Sequence, residues 1–205
     1  MHIAIAGNIG SGKTTLAKLL AKHFNWEPAF ENIDKNPYLT SFYEDMQRWS
    51  FNVQVFFLNL RCRQIMELRK RKKTVVQDRT IFEDAYIFAP NLHDMGLMAT
   101  RDYENYMSLF ELVNSFMQQP DLLIYIKAST STLVTQIQKR GRKYENTIRL
   151  DYLQNLNERY EKWTDSYKGK MLVIDADTIK FAENQADMGY VVDRINAELF
   201  GLFKS

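Results

Sequence analysis

Eight residues constrain this chain more than any others. Gly7-Asn8-Ile9-Gly10-Ser11-Gly12-Lys13-Thr14 follow directly on the apolar run Ile3-Ala4-Ile5-Ala6. The pattern G-x-x-x-x-G-K-T, set between a short strand and a helix, is the signature of a phosphate-binding loop. Its glycines let the backbone wrap closely, with amide hydrogens turned toward an anion. Thr14, Thr15 and the residues to Leu20 read as a helix whose N-terminus adds positive dipole. Lys13 is then able to reach the β- and γ-phosphates, and the Thr14 hydroxyl to sit on Mg²⁺. A glycine-rich turn with no ligand would require neither side chain. The nucleotide-binding set expected here is Gly7, Asn8, Ile9, Gly10, Ser11, Gly12, Lys13, Thr14 and Thr15.

Four further segments resemble strands: 27–30, 74–77, 122–126 and 171–174. Between them lie helical patterns at about 13–24, 38–72, 80–90, 102–117, 129–140, 149–167 and 181–203. Such alternation predicts an α/β fold, a five-stranded parallel sheet with helices on both faces. The 205 residues suit one α/β domain, and no repeat or linker divides 1–205. A net charge of +2 gives no bulk electrostatic case for nucleic acid. The basic run 69–73 is expected to be a solvated helix end, where cations suit the dipole. The lone Cys62 excludes an intrachain disulfide, fits a reducing compartment and reads as a half-buried thiol. No stretch approaches a transmembrane span. The N-terminus runs straight into a strand, so no signal peptide is expected and the protein is read as cytoplasmic.

Ligands of such sheets bind beyond the carboxyl ends of the strands. Glu31 follows the second strand, where a carboxylate can take a proton from an attacking hydroxyl; a capping or surface role is equally open. Asp78-Arg79-Thr80 follows the third. An acid there can hold Mg²⁺, directly or through water, and the arginine can place charge near the transferred group. The alternative is a helix cap with a salt bridge. Arg140 and Arg142 flank Gly141 and can close over a triphosphate, or form a solvated loop. Tyr43, Gln54 and Arg61 return to one helical face, yet a continuous helix would separate the first two by about 16 Å, longer than a nucleoside.

The motifs G-N-I-G-S-G-K-T-T, F-E-N-I, F-Y-E-D-M-Q-R-W-S-F-N-V-Q, Q-D-R-T-I-F-E-D and K-R-G-R-K-Y-E together resemble the deoxynucleoside kinases, in particular the bacterial deoxyadenosine/deoxyguanosine branch. The resemblance runs nearly end to end and implies a P-loop kinase fold with a short arginine-bearing lid at about 140–148. It implies that Glu31 is the general base for the nucleoside 5′-hydroxyl and that Arg79 orients Glu31 and the 5′-oxygen. Asp78 would be the acid near Mg²⁺. Tyr43 and Glu145 would bind the sugar 3′-hydroxyl, and Gln54 would read the base. Arg61 and Asp84 would form a charged pair at the far wall of the base pocket, with Phe88 bordering or stacking on the base. Arg140 and Arg142 would be the lid, and the helix would break after Tyr43. Many relatives have Glu-Arg-Ser where this chain has Asp78-Arg79-Thr80, and Pro where it has Asn32. Gln136 stands where some place another lid arginine.

The Arg61–Asp84 pair in this resemblance favours deoxyadenosine, deoxyguanosine or deoxycytidine over thymidine, with deoxyadenosine first. ATP and Mg²⁺ are the implied donor and metal, nucleotide salvage the setting, and a homodimer the assembly; neither nucleic acid nor membrane is an expected partner. The rival readings are a nucleoside monophosphate kinase of thymidylate kinase type and a P-loop switch or assembly ATPase. A carboxylate at Glu31 would repel a monophosphate acceptor. No N-K-x-D guanine motif occurs.

Overall fold

The computed structural model describes residues 1–30, 36–68 and 71–201. Strand β1 (His2–Gly7) leads through the phosphate loop into helix α1 (Lys13–Phe24) and strand β2 (Glu27–Ala29). Helices α2 (Leu39–Glu44) and α3 (Met46–Leu68) precede strand β3 (Val75–Asp78). A compound helix follows: α4 (Ile81–Glu83), a π-helical turn (Asp84–Phe88) and α5 (Ala89–Asp94). Then come α6 (Thr100–Asn114), β4 (Leu122–Lys127), α7 (Thr130–Arg140), a 3₁₀ turn (Lys143–Thr147), α8 (Leu150–Asp165), β5 (Met171–Asp175) and α9 (Gln185–Phe200).

The five strands form one parallel sheet in the order β2-β3-β1-β4-β5, as the alternation predicts. The chain starts in the middle of the sheet and builds outward. Both faces of β1 are buried, and its alternation of Ile and Ala distinguishes them. Ile3 and Ile5 pack with Leu16, Leu20, Val191 and Ile195 of α1 and α9. Ala4 and Ala6 leave room on the other face for Trp163 of α8 and for Tyr167 just past its end. Small residues opposite large ones let the layers interdigitate at interior density.

The long helical pattern at 38–72 is two helices. It breaks at Asp45, whose φ of −144° and ψ of 85° are not helical. The side chain of Asp45 then accepts from Arg48 N–H at 3.0 Å, which starts α3. This break removes the 16 Å objection to Tyr43 and Gln54 sharing a ligand. Of the basic run after α3, Arg71, Lys72 and Lys73 are exposed and not helical, and Arg71 pairs with Glu27 at 3.1 Å. Arg69 and Lys70 lie outside the described residues. Cys62 is half-buried, and burial pushes its thiol pKa up, against a nucleophilic role.

Candidate active site

The phosphate loop closes as the spacing predicts. Gly12 caps α1 in the left-handed region (φ 97°, ψ 11°), which L side chains adopt only at a cost. At Gly10 a Cβ would stand 2.9 Å from the Leu133 carbonyl oxygen, so only glycine lets the loop lie against α7. Asn8 ties the loop to α8: its amide donates to the Leu153 carbonyl (3.0 Å) and to Asn157 Oδ1 (2.6 Å). Asn157 in turn donates to the Ala128 carbonyl at 3.0 Å. Lys13 Nζ lies back along its own loop and donates to the carbonyls of Gly7 (2.7 Å) and Asn8 (2.9 Å).

Thr14 Oγ1 donates to Asp78 Oδ2 at 2.5 Å. The carboxyl end of β3 thus meets the start of α1, because β3 pairs with β1 in parallel register, Ile5 opposite Asp78. Arg79 turns the chain away from the sheet with φ at 69°, a left-handed backbone unusual for a side chain of this size. Its N–H is held by the Ile5 carbonyl at 3.0 Å. The turn lays the guanidinium over the Phe88 ring, 3.7 Å from its centroid. Phe88 therefore presents one face to an arginine. The cap of α4 is Thr80, whose N–H donates to Glu83 at 2.7 Å; Asp78 does not fill that role.

Asp84 sits between two arginines. Its Oδ2 is 3.3 Å from Arg61 Nε, and its Oδ1 is 3.3 Å from Arg79 Nε. Arg61 and Asp84 have side chains 0% and 1% exposed, and both lie behind the cavity wall. The wall itself includes Gln54, Arg79 and Phe88. The π-helical turn begins at Asp84 and ends at Phe88. Widened turns of this kind recur at functional sites, and here one brackets the wall. Removing Asp84 alone takes a buried carboxylate from both guanidinium groups. Asp84→Ala is expected to lower stability by about 3 kcal/mol. Arg61→Met on top of it should recover part of that loss, as chemical denaturation of the single and double variants will show.

Opposite this wall, Tyr43 stacks on Tyr144 with ring centroids 5.7 Å apart. Burial, reinforced by Tyr152 and Glu145, raises the Tyr43 hydroxyl above its usual range, so it is a neutral donor. Glu145 is gripped by Arg140, at 3.1 Å from Nε and 2.5 Å from Nη2, and by Arg142 at 3.5 Å. Lys13, Thr14, Tyr43, Gln54, Arg79, Phe88, Arg140, Arg142 and Glu145 all line one cavity. Glu31 lies outside the described residues. A larger cavity, about 260 Å³, opens at the far end of the sheet around His2 and Gln77, away from the phosphate loop.

Residues not singled out from the sequence also build the site. Glu83 and Tyr160 bond Gly7 from beneath. Lys180 and Phe181 join Ser11, Gly12, Thr15 and Gln136, all four named from the sequence, around a second cavity of about 300 Å³ beside the loop. Beyond the ends of β4 and β5 two charged groups hold the structure together: Lys127 pairs with Glu161 at 2.7 Å, and Asp177 accepts from Ser129 N–H at 3.1 Å.

This geometry has known counterparts. A profile described as deoxynucleoside kinase matches residues 3–200. The deoxyadenosine/deoxycytidine kinase of Bacillus subtilis is 35% identical over 199 residues, covering 94% of this chain and 90% of the relative. The deoxyadenosine kinase of Dictyostelium discoideum is 38% identical over 182 residues, covering 89% and 74%. Among solved structures, deoxyadenosine kinase from M. mycoides with bound dATP superposes with a TM-score of 0.85 at 28% identity, covering 96% of this chain and all of the other. The phosphate loop, the parallel sheet around it and a match along nearly the whole length lead to one conclusion: the chain belongs to the deoxynucleoside kinase family.

Proposed function

We propose that this protein transfers the γ-phosphoryl group of ATP to the 5′-hydroxyl of a deoxynucleoside, with deoxyadenosine preferred and deoxyguanosine or deoxycytidine as further acceptors. One observation carries the reading: a single cavity is lined both by Lys13 and Thr14 of the phosphate loop and by Gln54, Tyr43 and Phe88. Donor and acceptor can therefore meet in it. In this reading Gln54 pairs with the N6/N7 edge of adenine, one acceptor to one donor. Tyr43 and Glu145 hold the sugar 3′-hydroxyl. Glu31 takes the proton as the 5′-oxygen bonds to phosphorus and ADP leaves with the electrons of the broken P–O bond. Arg79 orients the 5′-oxygen and Lys13 neutralises the phosphates. The donor's base enters the second cavity, between Gly12, Lys180 and Phe181.

Thr14 and Asp78 fit a magnesium site, being hard oxygen donors already in contact. Among the described residues no cluster of three or more His, Cys, Asp or Glu could hold a metal. An ion at this place would be held by the Asp78 carboxylate, the Thr14 hydroxyl, water and substrate phosphates. Bound there, Mg²⁺ supplies positive charge to the phosphates.

The protein is further proposed to act as one domain, in deoxynucleoside salvage in the cytoplasm, and as a homodimer. Leu109 and Leu112 on α6 are 39% and 62% exposed, Phe116 in the turn after α6 is 65% exposed, and Met66 is 64% exposed on α3. A second copy would cover them, and light scattering would report the mass. No described helix is long and apolar enough to cross a membrane.

The deciding assay offers the four natural deoxynucleosides and their 5′-monophosphates with ATP and Mg²⁺. Deoxyadenosine should be converted fastest and thymidine poorly. Transfer only to monophosphates, or ATP hydrolysis without an acceptor, would overturn the proposal. The lid makes a separate expectation. The cavity as folded has about 70 Å³, short of the ~300 Å³ usual for ligand pockets. In this reading residues 140–145 open to admit substrate and close again. Amide exchange there should slow when both substrates bind; identical exchange with and without a bisubstrate ligand would rule out a lid.

A further inference from the structure

Beneath the phosphate loop lies a buried carboxyl group with no part in the transfer step. Glu83 is wholly buried. Its Oε2 accepts from Thr80 N–H at 2.7 Å, and its Oε1 accepts from Gly7 N–H at 3.2 Å. Tyr160 Oη, reaching in from α8, is 2.8 Å from Glu83 Oε1 and 2.8 Å from the Gly7 carbonyl oxygen. Three oxygens thus form a chain with two short contacts, and each contact requires a hydrogen. The carbonyl has none and the phenol has one. Tyr160 spends its hydrogen on only one of the contacts. The second hydrogen has one available carrier, the carboxyl of Glu83.

We propose that Glu83 is held protonated in the folded protein and, through Tyr160, positions Gly7 so that the phosphate loop is set to receive the donor. In this arrangement Glu83 donates to Tyr160, and Tyr160 donates to the Gly7 carbonyl. That carbonyl also receives Lys13 Nζ at 2.7 Å. Neutrality matters for Lys13. An ionised carboxylate under the loop would compete with the donor's phosphates for the lysine; a protonated one does not. Glu83 is a positioning residue, acting on the donor only through Gly7 and Tyr160.

The surroundings agree. Lys13 from α1, Arg79 from the turn after β3, Tyr160 from α8 and Tyr125 from β4 face the group. Burial pushes the Glu83 pKa up, and the opposing pull of Arg79 and Lys13 leaves it raised. Above the ordinary glutamate range, and up to that raised value, the folded chain keeps a proton that the unfolded chain has lost. Stability should therefore fall as pH rises through this window, and Glu83→Gln should remove that slope.

The deepest test needs no substrate and so stands apart from the proposed reaction. In infrared difference spectra of the nucleotide-free protein at neutral pH, wild type minus Glu83→Gln should contain the C=O stretch of a protonated carboxylic acid. Carboxylate bands in its place would overturn the proposal. Should Glu83→Gln not fold, Tyr160→Phe serves instead: the same band should shift as its hydrogen-bond partner is lost, and an unshifted or missing band counts against the proposal. Tyr160→Phe should also raise the ATP Kd about tenfold, the value of one well-made hydrogen bond, and leave the deoxynucleoside Kd alone. Calorimetry with ATP alone reads this even if the acceptor has been misassigned. An ATP Kd changed less than twofold would mean that Tyr160 does not transmit the position of Glu83.

Discussion

Replacing Lys13 by Ala is expected to lower kcat by about 10²–10³-fold, the usual effect of deleting one preorganised group that stabilises transition-state charge. The fold should survive. The Gly7 carbonyl, one of the acceptors of Lys13, keeps Tyr160 as a donor. The lysine is also only half-buried, so its removal opens no core cavity. Single-turnover transfer, read beside a thermal melt, separates the two effects. A kcat within tenfold of wild type would remove Lys13 from the phosphate site and with it the phosphate-loop assignment.

Glu31→Gln should cost still more, about 10²–10⁴-fold in kcat, the range for a general base, with deoxynucleoside Kd nearly unchanged. Glu31 is the second residue past β2, which pairs with β3 with Ala29 opposite Gln77. The chain thus leaves β2 beside the strand that ends in Asp78 and leads to Arg79. Gln64 of α3 donates to the Phe30 carbonyl at 3.3 Å, which fixes the backbone just before Glu31. Glutamine keeps the size and a hydrogen-bonding oxygen but cannot take the proton at neutral pH. If kcat drops less than tenfold while the melt is unchanged, another group is the base.

What the sequence discloses here depends on range. The phosphate loop is contiguous, so its glycines, Lys13 and Thr14 announce themselves. The strands are short apolar runs with little ambiguity, and all five are found within a residue or two of the expected bounds. The sheet order is not local: nothing in the residues of β1 states that it is central. The break at Asp45 is invisible to periodicity, since Tyr43 and Gln54 keep helical phase across it; only resemblance to a family anticipated it. Asp84 was paired with Arg61 on the same basis, while its contact with Arg79 depends on the left-handed turn at 79. Glu83 and Tyr160 escaped notice for a different reason. Three residues after Thr80, a glutamate reads as an ordinary capping partner, and it is one. On an amphipathic helix a tyrosine reads as core, and it is that too. Their second role appears only where Tyr160 of α8 reaches Glu83, 77 residues away in the chain, beneath Gly7.

The anchoring of Asn8 bears on how the protein comes into being. The amide that shapes the phosphate loop is bonded to residues 145 and 149 positions later. During synthesis the N-terminal segment emerges first, but its partners on α8 are made when most of the chain is already out. A nascent chain therefore carries the full nucleotide-binding motif without the geometry that makes it work. Contacts of such long sequence separation also slow folding. Nucleotide recognition would be among the last properties the growing chain acquires, and a ribosome stalled before α8 should display a nascent chain that does not retain ATP.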